Sequence, residues 1–224
     1  MKTEYANLRI SVLGAKGVGK SAVTVRYLTK RFIGEYSSGL DISYQTTVCH
    51  LDTSIKVDIL DTSSQGDCQA ICHDVYDADA FVIVYSITDE VSLKVAKKEV
   101  EAIRSRSAPY TPVLLLGNKL DLEHARKVYS GDVEKLRETH GCLHSEVSAA
   151  ESHLLIVNSF LDLVMDAFSS VCHNGRIVKR RKSLFENVSR KLGNVFRRKS
   201  LDSTPMYKKK LPRISYHNVN RRSV

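Results

Sequence analysis

Residues 14 to 21 read GAKGVGKS, three glycines ahead of a Lys20–Ser21 pair. This is the chemistry of a polyphosphate cradle. Glycines let a loop wrap until its N–H groups face one phosphate. Gly14, Ala15, Lys16, Gly17, Val18 and Gly19 are therefore read as the cradle wall. Lys20 brings a point charge to the β- and γ-oxygens, and the Ser21 hydroxyl can ligate Mg2+. The motif needs a strand before it and a helix after it. NLRISVL (7–13) and residues 20–29 supply that context. Lys16 is the odd member, a long cation where small residues would let a phosphate come close.

Other stretches could complete such a site. VDILDTSSQ (57–65) ends an apolar strand in Asp61, where an acid can hold Mg2+ through water. Asn118-Lys119-Leu120-Asp121 follows the next apolar strand. A carboxylate at 121 can accept two hydrogen bonds from guanine, at N1–H and the 2-amino group. Adenine has neither donor, so a buried carboxylate would be left unpaired, which is costly. Asn118 can bridge to the N7 edge, and the Lys119 stem can lie along the face of the base. Ser148-Ala149 follows the last strand-like segment, where a backbone N–H could meet guanine O6. Cys68, Cys72 and His73 have no second ligand pair nearby. Structural zinc takes four ligands, so they are assigned to a helix of the second switch described below.

The elements that must position these residues alternate between strand and helix. ISYQTTVCH (42–50) and SIKVDIL (54–60) read as a hairpin pair. DAFVIVY (79–85) and PVLLLGN (112–118) are apolar runs of the kind buried on both faces of a sheet. Thr88 is placed to cap a helix whose first turn holds Asp89 and Glu90. CLHSEV (142–147) reads as a last strand, and Val157, Phe160, Leu161, Val164, Phe168 and Val171 form a core-facing helical stripe over 152–172. The alternation predicts an α/β fold, a mostly parallel sheet with helices on both faces. Ligands of such folds lie at the carboxyl ends of the strands, where every motif above falls.

Composition sets the outer bounds. The 224 residues are 42% hydrophobic, enough for one packed domain and an appendage. No run of about 18 apolar residues occurs. The start, MKTEYANLRI, lacks the apolar core of a signal peptide, and Lys2 stands where myristoylation needs glycine. Five irregularly spaced cysteines fit free thiols in a reducing, cytoplasmic setting.

Charge divides the chain. Residues 173–224 carry 16 Lys/Arg against Glu186 and Asp202, a net +14, which leaves residues 1–172 at −5. The expected organisation is a domain at 1–172 and a basic, disordered tail at 173–224. Within the tail, KRRKSLFENVSRKLGNVFRRKS (179–200) sets Leu184, Val188, Leu192 and Val195 on one helical stripe among cations. An amphipathic helix over 183–198 could dock on an anionic membrane or in a calmodulin-like groove. A solvated tail or a nuclear-import signal is the plainer alternative. Few aromatics are placed for stacking, which argues against nucleic acid. The ending Asn220-Arg-Arg-Ser-Val has no cysteine four from the end, so no prenyl anchor is expected. Ser183 and Ser200 each close an R-R-K-S run, where a phosphate would cancel local charge.

GAKGVGKS, DTSSQ, NKLD and EVSAA, in this order and spacing over about residues 7–172, resemble the G-boxes of the Ras superfamily. YLTKRFIGEY (27–36) and the missing lipidation box resemble the divergent branch of the Ras-related oestrogen-regulated growth inhibitor and its like relatives. The resemblance implies a P-loop G domain of six strands and five helices, GTP or GDP with Mg2+, and two nucleotide-sensing switch segments. It implies that Phe32 packs against guanine and that Gln65 orients the attacking water. It leaves effector and exchange factor unnamed, and a monomer is expected.

The sequence departs from that pattern in three places. Counting from Ser21, the first switch's Mg2+-ligating threonine falls on Gly39, which has no hydroxyl. The glycine of D-x-x-G is replaced by Ser64, which keeps the N–H but restricts the backbone. Lys16 stands where the family usually has glycine. It could block stimulated hydrolysis by crowding Gln65 and the path of an arginine finger. Alternatively, its ammonium could reach the γ-phosphate and partly stand in for the finger; the first reading is preferred. The expected outcome is slow GTP hydrolysis in a signalling switch. The alternative is a nucleotide-stabilised interaction module that does not cycle.

Overall fold

The computed structural model describes residues 4–34, 41–50, 53–63, 73–108, 110–173 and 221–223. Strands β1 (Glu4–Leu13), β2 (Ile42–His50), β3 (Thr53–Asp61), β4 (Ala80–Ser86), β5 (Val113–Asn118), β6 (Leu143–Glu146) and β7 (Arg221–Ser223) form one sheet in the order β6-β5-β4-β1-β3-β2-β7. Neighbours from β3 through β1, β4 and β5 to β6 run parallel. β2 is antiparallel to β3, and β7 is antiparallel to β2. The helices are α1 (Lys20–Thr29), α2 (His73–Tyr76), α3 (Glu90–Arg106), α4 (Ser130–His140) and α5 (Leu154–His173).

Side-chain alternation along β4 explains the two layers. Ala80, Val82 and Val84 join one core with β1, α1 and α5. Phe81, Ile83 and Tyr85 point the other way, into a core with α3 and α4. Every residue of β4 and β5 is buried, as expected for central strands covered on both faces. The stripe on α5 behaves as its spacing predicts. Val157, Phe160, Val164 and Val171 are buried, with Leu161 and Phe168 partly buried against them. Phe160 stacks on Tyr27 of α1 at 4.3 Å between ring centroids, which fixes α5 to the helix that opens from the glycine loop.

Leu154–Cys172 is long and apolar enough, with a mean hydropathy of 1.6, to cross a bilayer. Its buried stripe on the sheet accounts for that composition.

Two details differ from the sequence reading. α3 is capped by Asp89, not Thr88: the Asp89 carboxylate accepts from the Val91 N–H at 2.9 Å. Thr88 instead shares a 2.8 Å hydrogen bond with the Ser86 hydroxyl. Asp89 has the extended backbone that a cap requires. The second difference is β7. The six expected strands are all present, and a seventh comes from the far end of the basic tail. Arg-Arg-Ser is too short and too polar to announce a strand. Residues 174–220, and with them the amphipathic segment, Ser183 and Ser200, lie outside the described residues.

Candidate nucleotide site

The four motifs converge at the carboxyl ends of β1, β3, β5 and β6. The glycine loop leaves β1 at Leu13 and turns at once. Gly14 has φ +136°, and a Cβ there would lie 2.1 Å from the Val84 carbonyl oxygen. Gly19 has φ +98°, and its Cβ would lie 2.3 Å from Asn118 Nδ2. Only glycine meets both demands, a left-handed backbone and the close approach of a neighbour.

That approach has a purpose. Asn118 is buried, its Nδ2 donates to the Val18 carbonyl at 2.9 Å, and its Oδ1 accepts from the Ala149 N–H at 3.1 Å. One side chain thus ties the glycine loop to the loops after β5 and β6. Of the backbone donors at Ser148-Ala149 considered for guanine O6, the Ala149 N–H is donated to Asn118. Ser148 donates its hydroxyl to Asp121 Oδ1 at 2.6 Å and accepts from the Glu151 N–H at 3.1 Å. Lys119 has φ +71° and leads into a 3-10 turn over Leu120–Ala125, which carries Asp121 outward. Asp121 is exposed at the rim, whereas the sequence argument placed it in a buried setting. Covering by the base would have to supply its desolvation.

The sequence reading missed two supports. Arg126 donates to both carboxylate oxygens of Glu146 at 2.9 and 2.7 Å and to both of Glu123 at 2.7 Å. These bonds raise the guanidinium pKa, with Glu146 the larger influence. The clamp holds the 3-10 turn of Asp121 against β6. The Glu123–Arg126 spacing of three was a readable signal for half of it; the partner on β6 was not. The other support is Asp41, whose Oδ1 accepts from the Ser63 N–H, tying the start of β2 to the end of β3.

At the phosphate end, Lys20 is 6% exposed. Its Nζ donates to the Gly14 and Ala15 carbonyls at 3.0 and 3.1 Å. Burial lowers its pKa, opposed by the charges of Asp61 and Asp41. Asp61 is 2% exposed; burial raises its pKa, opposed by a hydrogen bond from Ser21 and by the Lys20 charge. Asp61 Oδ1 is buried with no hydrogen-bond partner among the described residues. An orphaned carboxylate oxygen beside a serine hydroxyl suits a hard divalent cation, which takes oxygen ligands. Lys16 is exposed at the loop surface, and Phe32 is 46% exposed. Gln65, Gly39, Ser64, Cys68 and Cys72 lie outside the described residues. Among the described residues, no group of three or more His, Cys, Asp or Glu could hold a metal ion.

Comparison with known proteins agrees with this geometry. Residues 9–168 match the Ras family. The chain is 36% identical to the bovine "Ras-related and estrogen-regulated growth inhibitor-like protein" over 87% of this chain and 99% of that one. It is 35% identical to the human "Ras-related and estrogen-regulated growth inhibitor" over 70% of this chain and 80% of that one. It is 37% identical to zebrafish (Danio rerio) "Ras-like protein family member 12" over 73% and 65% respectively. With the cradle, its lysine and the Asn118 tie in place, the chain belongs to the Ras family, as a GTP-binding, Ras-like protein.

Proposed function

We propose that this protein is a Mg2+-dependent guanine-nucleotide switch that hydrolyses GTP slowly. The observation that carries the reading is the cluster of buried Lys20 and Asp61 with the half-buried Ser21, whose hydroxyl bonds Asp61. Lys20 is buried, and its ammonium donates to two loop carbonyls. A β-phosphate oxygen would offer those donors a charged acceptor, a stronger partner than a carbonyl. The loop N–H groups would face the same phosphate. Ser21 and Asp61 would hold Mg2+, Ser21 directly and Asp61 through water; the ion would neutralise charge on the β- and γ-oxygens.

At the base, Asp121 would accept N1–H and the 2-amino group. Each charge-assisted hydrogen bond is worth about 1.5–3 kcal/mol. Two of them give roughly 100- to 10,000-fold preference for guanine over adenine. Phe32, 46% exposed, would gain a ring to pack on if it meets the base as the family resemblance implies.

Slow turnover rests on the sequence. Gln65 is the water-orienting candidate, while Lys16 crowds the approach to it and Gly39 offers no hydroxyl to Mg2+. Gly39 and Ser64 also motivate the second reading, a nucleotide-stabilised module that does not cycle. Chromatography of the nucleotide eluted from GTP-loaded protein, before and after an hour with Mg2+, separates them. The switch converts its GTP to GDP; GTP that persists unchanged establishes the module.

A further inference from the structure

Among the described residues, β2 has β3 on one side, and on the other side only β7. The pairing is short and local: Ile42 faces Ser223, Ser43 faces Arg222 and Tyr44 faces Arg221. Among the described residues, the rest of β2, from Gln45 to His50, pairs with β3 alone. A sheet edge presents a row of backbone donors and acceptors that can template another strand. Here the covered part of the edge adjoins Asp41, whose carboxylate ties it to Ser63 at the end of β3.

We propose that Arg221–Ser223 is a built-in, displaceable occupant of the β2 edge at Ile42–Tyr44. Three arguments support the occupant. The backbone of these residues already completes the ladder. The connecting residues 174–220 number 47. Even at well under its full extension, a chain of that length exceeds the width of a domain this size, so the tether is long enough. The acidic body and the basic tail carry opposite net charge, which favours contact once they lie within about a Debye length of each other.

Displaceability follows from magnitudes. Three residues of antiparallel pairing provide only a few backbone hydrogen bonds, each worth about 1 kcal/mol net. Such a strand would hardly bind if free. Tethering at about millimolar effective concentration keeps it in place. An extended partner peptide that adds a longer strand, reaching on to His50, would make more bonds and displace it. The C-terminal residues thus set a threshold that any strand-adding partner must exceed. This inference is independent of the nucleotide reading.

The test is amide exchange by mass spectrometry on GDP-loaded full-length chain, on a variant lacking residues 221–224, and on Arg222→Pro in the full chain. Proline removes a backbone donor and disfavours a paired strand. Exchange over residues 41–46 should be about three- to tenfold faster in both variants, with β4 and β5 unchanged. A synthetic peptide of residues 217–224 (HNVNRRSV) at millimolar concentration should restore protection to the truncated chain. Equal exchange at 41–46 in full-length and both variant chains would overturn the proposal. So would protection that rises with protein concentration, since the occupant would then be a second copy. Because Arg222→Pro keeps the chain intact, it decides the matter even if the truncated chain is unstable.

Discussion

Residue-scale chemistry in this protein centres on charges held out of water. Asp61 and Lys20 are both buried, and burial pushes each toward its neutral form. A carboxyl with a raised folded pKa binds its proton more readily in the native state. The nucleotide-free chain therefore loses stability as pH rises through the folded value, and that cost is present at neutral pH. Asp61→Asn removes it. The variant should melt higher than wild type at pH 7 when stripped of nucleotide and Mg2+, with the gap closing toward acid pH. It should also bind GTP in Mg2+ about 10- to 100-fold more weakly. A lower melting temperature at pH 7 would show that the Lys20 pairing outweighs desolvation. Lys16 poses a separate question, because it is exposed and the effect proposed for it is steric. Lys16→Gly should speed single-turnover GTP cleavage by about 10- to 100-fold. A slower variant would assign Lys16 a supporting role at the γ-phosphate.

Elements decide where those residues stand. α1 opens directly from the glycine loop, and its far face is pinned to α5 by the Tyr27–Phe160 stack. Phe160 is fully buried, so Phe160→Ala should cost about 3–5 kcal/mol. That corresponds to roughly 10 °C in thermal unfolding monitored by circular dichroism. A shift under about 2 °C would mean that the α1–α5 contact contributes little. Strand and helix identities were legible because apolar runs and helical stripes are strong periodic signals: β4, β5, α1 and α5 fall where the spacing puts them. The cap of α3 was misplaced by one residue because Thr88 and Asp89 are both good caps, and only the backbone angles choose between them. The 3-10 turn bearing Asp121 gave no signal, since it has no buried face to impose a period. β7 was invisible for a related reason: three polar residues become a strand only because an edge is offered to them.

At the scale of the whole molecule, the topology gathers four separated motifs at one end of a sheet, and Asn118 locks three of their loops together. The order of the motifs and their place after strands were legible because phosphate and base recognition demand particular residue types at fixed places. The Glu146 half of the Arg126 clamp and the engagement of Ala149 were not legible, because both depend on which loops meet. The central claim is that Asp121 and the cradle before Ser21 together select guanosine polyphosphates. Calorimetry on EDTA-stripped full-length protein, titrated with GDP and then with ADP in Mg2+, tests it most directly. The account predicts GDP binding at least about 100-fold tighter than ADP, from two charge-assisted hydrogen bonds. Equal affinities, or no heat with either nucleotide, would contradict it.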